Sequence, residues 1–461
     1  MRTKKKIHLH KGQIVELPIR RLGINGEGVG YYQKQVIFVE GAIPGEFVVA
    51  RIDEVEKNFA KAKLVRLKKK SAYRIQPKCP IYETCGGCQL QHIDYRFQRR
   101  LKRELVQEAF RKYTNLADIP IEKTISMSEP WTYRNKAQFP LQSIEQRVVM
   151  GMFSAKSHRL VEIKECPVQH PLVNQALEIV RDIIEQLKIS IYDERKHQGV
   201  IRHIVVRISF ATKEIQLVFI SRTKSFPEEK ALISEVIKRL PQVKSIVLNH
   251  NPHKTSLIFG NESRLLWGTE KISEQLGEIT YLLSARAFFQ LNPVQTRKLY
   301  EEVEKLAQLT GNETVIDAYC GVGTIGIWLA RKAKRVLGMD TIPEAIENAK
   351  ENAVVNQIDH AEYVVGEAEI LIPKWVKKGL KPDLVVVDPP RVGLGQALID
   401  TLLEVKVPRM IYVSCNPATL AKDCQQLIRG GYQVKKVIPL DMFPQTAHIE
   451  SITLLEREVV T

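Results

Sequence analysis

No stretch of this 461-residue chain approaches the apolar length needed to cross a bilayer. No apolar segment follows its charged start, so no secretory leader is expected. Internal repeats are absent, and nothing is of low complexity beyond a few short basic runs. Cysteine is sparse at seven, and in a chain of this character thiols serve as ligands or catalysts rather than disulfides. Acids are missing from three stretches. None stands among Arg2, Lys4, Lys5, Lys6 and Lys11, none among Lys61, Lys63, Arg66, Lys68, Lys69, Lys70 and Arg74, and none among Arg96, Arg99, Arg100, Lys102 and Arg103. With a net charge of +17, such clusters fit a polyanion whose counterions are released on binding. They select a phosphate backbone, not a base sequence.

The length calls for two or three domains, and 44% hydrophobic residues can fill their cores. From Gly12 to about Lys70, apolar and polar residues alternate between glycine-marked turns, with Val36–Val39 and Phe47–Ala50 as strands. This pattern predicts a small β-barrel over 1–70, a form that often binds oligonucleotides. A mixed α+β region follows over 71–277, with a helix near Tyr95 to Tyr113 that can pack on the next domain. Within it, Arg134-Asn135-Lys136 is a polar triplet in a strand-like run, open between an RNA contact and an exposed turn. From 278 to 461 strands and helices alternate, which predicts a doubly wound, Rossmann-like parallel sheet with its site at the carboxyl ends of the strands.

That last region carries the chemistry. Asp317-Ala318-Tyr319-Cys320-Gly321-Val322-Gly323 is a Gly-rich turn between a strand and a helix. Asp340 ends the next strand, 17 residues beyond Gly323, where an acid can hold ribose hydroxyls. Gly321, Gly323 and Gly326 also satisfy the dinucleotide pattern, so the glycines alone do not choose the cofactor. Asp388-Pro389-Pro390-Arg391 then looks like the strand-end motif of nucleobase methyltransferases. Asp388 suits the cofactor or the target base; Arg391 suits a phosphate, the base or a carboxylate partner. Ser414-Cys415-Asn416-Pro417 puts a cysteine at a strand end, with Asn416 as N-cap and Pro417 at the first helical position. The helix dipole there favours a thiolate, although position alone equally allows a small buried hydrophobe. Glu450, at the end of Pro444-Gln445-Thr446-Ala447-His448-Ile449-Glu450, is a candidate base; taken alone it reads as a solvated surface carboxylate.

Upstream, Cys79, Cys85 and Cys88 have five and two residues between them, and Cys166 before Pro167 can complete a set of four. Structural zinc and an iron–sulfur cluster both fit the spacing. Cys320 and Cys424 read as packing residues.

Taken together, these motifs resemble the RNA uracil-5-methyltransferase family over nearly the whole chain. The resemblance implies a TRAM-type, OB-like RNA-binding barrel, [4Fe–4S] ligation by Cys79, Cys85, Cys88 and Cys166, and an S-adenosylmethionine (SAM) site. Ala287-Phe288-Phe289-Gln290-Leu291-Asn292-Pro293 is similar to the segment whose glutamine touches SAM, so Gln290, Tyr319, Asp340 and Asp388 would line the cofactor. The family often has Glu at the position of Asp340. Cys415 would be the nucleophile and Glu450 the base. The implied enzyme methylates uridine C5 through a covalent bond from cysteine to uracil C6, in the cytoplasm, with no obligatory protein partner. The barrel and the four cysteines together point to 23S rRNA, with a tRNA substrate as the alternative. The target uridine is expected to be flipped out of its stack. Rivals from other classes are a radical methylthiotransferase, whose cluster cysteines stand three and two residues apart, a non-catalytic RNA-binding protein, and an adenine N6-methyltransferase.

Overall fold

The structure is a computed structural model that describes residues 9–457 apart from 115, 117, 155, 156 and 158. Arg2, Lys4, Lys5 and Lys6 of the first basic cluster lie outside the described residues. No described helix is long and apolar enough to cross a membrane.

The first five strands are β1 (Ile14–Leu22), β2 (Gly28–Tyr32), β3 (Gln35–Glu40), β4 (Phe47–Val55) and β5 (Phe59–Lys69). They close into a barrel in the order β1-β2-β3-β5-β4. Alternation decides what fills it: Val15, Leu17 and Ile19 point inward from β1, against Ile37, Val48 and Ile52. Most of the second basic run, Lys61 to Lys69, lies on β5, yet the run is not acid-free in space. Lys61 pairs with Glu54 at 2.6 Å, Lys68 pairs with Glu16, and Arg74 pairs with the buried Glu46 at 2.6 Å. Arg66, Lys69 and Lys70 have no ion-pair partner among the described residues.

The helix α1 (Tyr95–Thr114) turns its apolar stripe to two partners. Phe97 and Leu101 meet Leu22 and Ile43 of the barrel region. One and two turns further on, Val106, Ala109 and Phe110 join a core of the C-terminal sheet. The third basic run sits on this helix, and much of it is structural. Lys102 is fully buried against Asp441 at 2.5 Å, and Arg103 donates to the Ile121 carbonyl.

The middle of the chain forms β6 (Lys136–Ile144), β7 (Arg147–Phe153), β8 (Leu160–Glu162), α2 (Pro171–Gln186), β9 (Ile201–Ile208), β10 (Ile215–Ser221), α3 (Glu229–Arg239), β11 (Val243–His250) and β12 (Glu262–Gly268). The strands make one sheet in the order β12-β11-β10-β9-β6-β7-β8, with α2 and α3 packed on its apolar face. A hairpin follows, β13 (Lys271–Leu276) and β14 (Ile279–Ser284). Both of its strands bury their apolar residues in the C-terminal core. The expected division at 277/278 therefore falls in the turn of one packing unit, and the structural break lies before Lys271.

The C-terminal region is α4 (Pro293–Ala307), β15 (Thr314–Ala318), α5 (Thr324–Ala330), β16 (Arg335–Asp340), α6 (Pro343–Val355), β17 (Ala361–Val365), α7 (Ala368–Lys377), β18 (Leu384–Val387), α8 (Gln396–Val405), β19 (Arg409–Ser414), α9 (Pro417–Arg429), β20 (Tyr432–Leu440) and β21 (Glu450–Arg457). Its seven strands run β17-β16-β15-β18-β19-β21-β20. The first five are parallel; β21 is antiparallel to both β19 and β20. The sheet is thus mixed, not wholly parallel as expected. Strand order reverses between β15 and β18, and a crevice for a ligand opens at such a switch point.

Candidate active site

The carboxyl ends of β15, β16, β18 and β19 lie along one edge of the sheet and deliver Tyr319, Asp340, Asp388 and Cys415 in turn. Because β21 runs the other way, its first residue, Glu450, arrives at the same edge. Ser414 pairs with Ser451 at the end of the antiparallel ladder, so Cys415, just after one, and Glu450, just before the other, come to the same end.

Local bonds hold the nucleophile loop. Asn416 caps α9 by accepting from the Ala418 N–H at 3.1 Å, and Ser414 Oγ accepts from the Asn416 N–H at 3.1 Å. Asn416 Nδ2 also donates to the Arg391 carbonyl at 3.0 Å, and Thr419 Oγ1 donates to it at 3.2 Å. The cysteine turn and the Asp388–Arg391 turn are therefore one unit.

The electrostatics differ from the expectation of a ready thiolate. Burial pushes the half-buried Cys415 thiol up to about 11, and the charges of Glu450 and Asp388 push it the same way; Arg391 alone among its neighbours pulls it down. Glu450 is buried, not solvated, and burial with Asp388 beside it holds its carboxyl well above the usual range. Burial raises Asp388 to about 7. The three acidic groups oppose one another's ionisation, and the site holds little negative charge at once. Arg391 Nη2 lies 3.3 Å from His448 Nδ1. Burial and the Arg391 charge push that imidazole down to about 4, which keeps it neutral. Arg391 thus reaches a histidine, not a carboxylate partner.

The Gly-rich turn is shaped for a ligand. Tyr319 takes φ +63°, a left-handed conformation that costs a non-glycine residue about 1 kcal/mol or more. Gly321 at φ +54° and Gly323 at φ +80° complete the bend. Buried Asp317, raised by burial to about 7, accepts from the Gly326 N–H at 2.7 Å and pins the turn to α5. Asp340 accepts from the N–H groups of Gly321 at 3.0 Å and Ile342 at 2.9 Å. A carboxylate has lone pairs to spare beyond those two bonds, so Asp340 could still receive ribose hydroxyls. Gln290 is buried just before α4, whose start is tied to the catalytic segment by Asn292 Nδ2 donating to the Met442 carbonyl at 2.9 Å. Sequence reasoning passed over Ile342. It is 57% exposed beside Asp340, where an apolar side chain can cover a flat base; its signal was an apolar residue two positions after the strand-end acid.

The triplet 134–136 is neither a turn nor a surface strip. Asn135 is buried, donates from its N–H to the Leu291 carbonyl at 3.0 Å, and donates from Nδ2 to the Gln290 carbonyl at 3.2 Å. It stitches the central sheet to the segment before α4. Burial pushes Lys136 down to about 6, with Arg207 adding to the effect.

Cys79, Cys85, Cys88 and Cys166 line one cavity of about 290 Å³, together with Arg134 and Lys136. Cys79 and Cys166 lie 87 residues apart in sequence. Burial raises Cys79 and Cys166 and pushes Cys88 up to about 12. Yet among the described residues no group of three or more Cys, His, Asp or Glu side chains is arranged to hold a metal ion. The thiols share a cavity, and the expected metal centre is not established. Cys320 and Cys424 are buried in the core.

Residues 94–458 match the tRNA (uracil-5-)-methyltransferase family, and residues 9–65 match the TRAM domain. An uncharacterized RNA methyltransferase of Halalkalibacterium halodurans is 52% identical over 98% of both chains. One from Listeria innocua is 52% identical over 97% of this chain and 99% of its own. The crystal structure of the Pyrococcus abyssi tRNA (uracil-54, C5)-methyltransferase in complex with S-adenosyl-L-homocysteine superposes with a TM-score of 0.75 at 28% identity, covering 96% of this chain and all of that one. The chain belongs to the SAM-dependent RNA uracil-5-methyltransferases and carries a TRAM barrel at its N-terminal end.

Proposed function

We propose that the enzyme methylates a uridine at C5 in 23S rRNA through a transient bond from Cys415 to uracil C6. The observation that carries this reading is the nearness of Cys415 and Glu450, which flank the terminal Ser414–Ser451 pair at the edge where Tyr319, Asp340 and Asp388 also emerge. Uracil C5 is too weak a nucleophile to take a methyl group unaided. Once the Cys415 thiol has lost its proton to solvent, addition of the thiolate at C6 converts the C4–C5 side of the ring to an enolate, and C5 becomes the attacking atom. SAM, when bound, supplies a methyl on a sulfonium that departs as a neutral thioether. Glu450 then receives the C5 proton; the C–H electron pair rebuilds C5=C6, the C6–S bond breaks, and the thiolate of Cys415 is restored. A carboxyl with a raised affinity for protons is a strong base once ionised, and buried Glu450 has that character. Arg391 is the cation that offsets negative charge on both Cys415 and Glu450. Gln290, Tyr319, Asp340 and Asp388 would hold SAM. The uridine must leave its stack to reach a half-buried sulfur, which favours looped or single-stranded RNA.

Cys79, Cys85, Cys88 and Cys166 would hold a [4Fe–4S] cluster. A tetrahedral zinc site needs four sulfurs about 2.3 Å from one point, whereas a four-iron cluster spaces its thiolates around a larger body. A shared cavity of about 290 Å³, lined by all four thiols, has room for the larger body and supports the cluster reading. Arg134 in the lining suits its negative charge. Methyl transfer needs no redox step, and we assign the group the task of pinning the RNA-binding module. Equal amounts of iron and acid-labile sulfide in anaerobically purified protein are expected; zinc alone would refute the assignment.

A tRNA substrate is the second reading, because the Pyrococcus enzyme named for tRNA matches 96% of this chain. The barrel therefore does not separate the two substrates, contrary to the sequence-based expectation. The four-cysteine set is what keeps rRNA first. Methylation with labelled SAM, followed by mapping of 5-methyluridine, decides between them. Label in 23S rRNA fragments is expected, and label in tRNA alone would reverse the choice. The reading carries a cytoplasmic location.

A further inference from the structure

The segment from Asp441 to Ile449 carries His448 up to Glu450 and contains no helix or strand of its own. It is held from outside. Gln445 takes φ +71°, and its carbonyl accepts the N–H groups of Gln89 at 3.1 Å and Leu90 at 2.9 Å. Fully buried Gln98 grips the same residue: its Nε2 donates to Gln445 Oε1 at 3.0 Å, and its Oε1 accepts from the Gln445 N–H at 3.2 Å. Gln89 reaches both ways. Its Nε2 donates to the carbonyl of Gly86, between Cys85 and Cys88, at 3.0 Å, and its Oε1 accepts from the Ala447 N–H at 3.3 Å. The barrel closes the junction. A Cβ added to Gly26, at φ +91°, would stand 2.8 Å from Gln89 Cβ and 3.5 Å from Ala447 Cβ. Barrel, cysteine loop and catalytic segment therefore meet at Ala447, three residues before Glu450.

We propose that Gln89 is a positioning residue for proton removal: its amide fastens Ala447, and the chain leading to Glu450, to the cysteine loop. The inference rests on the covalent reading above. The nucleophile is held separately, by bonds among Ser414, Asn416, Thr419 and the Arg391 carbonyl on the β19–α9 turn, which do not involve Gln89. Loosening Gln89 should therefore act on one half of the reaction. Sulfur addition and methyl transfer proceed. The later step, in which the C5–H bond breaks toward Glu450 and the electron pair expels the Cys415 thiolate from C6, is slowed, because a general base must stay within hydrogen-bond reach of its proton.

The test is a single turnover with methyl-labelled SAM and substrate RNA, in which label on the covalent protein–RNA adduct is followed apart from label on free RNA. In Gln89→Leu the labelled adduct should accumulate and release should slow about tenfold or more, with the methyl-transfer rate near wild type. Gln89→Glu keeps the acceptor for Ala447 but loses the donor to Gly86, and its release rate should fall between those of Gln89→Leu and wild type. Gly26→Ala, pressing on Gln89 from the barrel, should reproduce the Gln89→Leu pattern. A Gln89→Leu enzyme that slows both steps equally, as a merely destabilised protein would, or slows neither, overturns the inference. Glu450→Gln is the control. If it builds up no adduct, the covalent reading itself fails, independently of Gln89.

Discussion

Cys415 and Glu450 are neighbours because β21 runs antiparallel to β19: the Ser414–Ser451 pair ends the ladder, and the residue after one and before the other bring sulfur and carboxyl to the same sheet edge. A wholly parallel sheet would have sent residue 450 to the opposite end. The reversed strand is thus what unites a nucleophile and a base 35 residues apart in sequence.

That closeness predicts how the thiol titrates. A neighbouring carboxylate disfavours the thiolate, so removing its charge must lower the thiol's affinity for protons. Alkylation of Cys415, followed by mass spectrometry of its peptide, should rise with pH toward about 11 in the free enzyme. Glu450→Gln and Asp388→Asn should move the inflection to lower pH, and Arg391→Leu should move it higher. An inflection unmoved by all three would refute the electrostatic picture.

Asp388 predicts a second pH effect. Its carboxyl is raised to about 7 by burial, above the value of about 3.9 for the unfolded chain. The folded state thus favours the protonated form, so stability is full below the unfolded value and is lost as pH rises through about 7. Asp388→Asn should leave the melting temperature nearly unchanged at about pH 4 and raise it at about pH 8, each measured without SAM. A stabilisation equal at both pH values would contradict the cause assigned here.

Much of this was legible in the sequence, and the failures have physical reasons. Strand-end residues announced themselves: Asp340, Asp388 and Cys415 each follow an apolar run and precede a turn. So did the helix caps at Asn416 and Pro417. What sequence could not tell was which neighbours each group would meet. Cys415 was read from its own helix, whose dipole favours a thiolate; the opposing carboxyl comes from another strand and, with burial, prevails. Glu450 read as solvated because Glu usually is, and only tertiary packing buries it. The basic runs looked acid-free because Glu16, Glu54 and Asp441 lie elsewhere in the chain.

Lys102 and Asp441 supply a stability prediction. Both side chains are fully buried, and Lys102 Nζ also donates to the Phe443 carbonyl at 3.1 Å. Lys102→Met strands a buried carboxylate and should cost about 3–5 kcal/mol of stability. Adding Asp441→Leu should restore much of that loss. A single variant as stable as wild type in chemical denaturation would show the pair to be unimportant.

RNA affinity should depend on salt through the unpaired cations of the barrel. Replacing Arg66, Lys69 and Lys70 together by Gln should flatten the slope of log affinity against log salt by about 2, taking about 0.7 per phosphate contact on single-stranded RNA. Lys61→Gln and Lys68→Gln should change it less, since Glu54 and Glu16 already neutralise those lysines. A slope untouched by the triple change would move the RNA path off this strand.

The most direct test of the covalent reading uses RNA carrying 5-fluorouridine, incubated with enzyme and SAM. Fluorine cannot leave as a cation, so the methylated ring should stay bonded to the protein. The account predicts a denaturation-stable protein–RNA adduct that maps to the peptide containing Cys415 and vanishes in Cys415→Ala. An adduct that persists without that sulfur, or 5-methyluridine formed at the normal rate by the alanine variant, would contradict it.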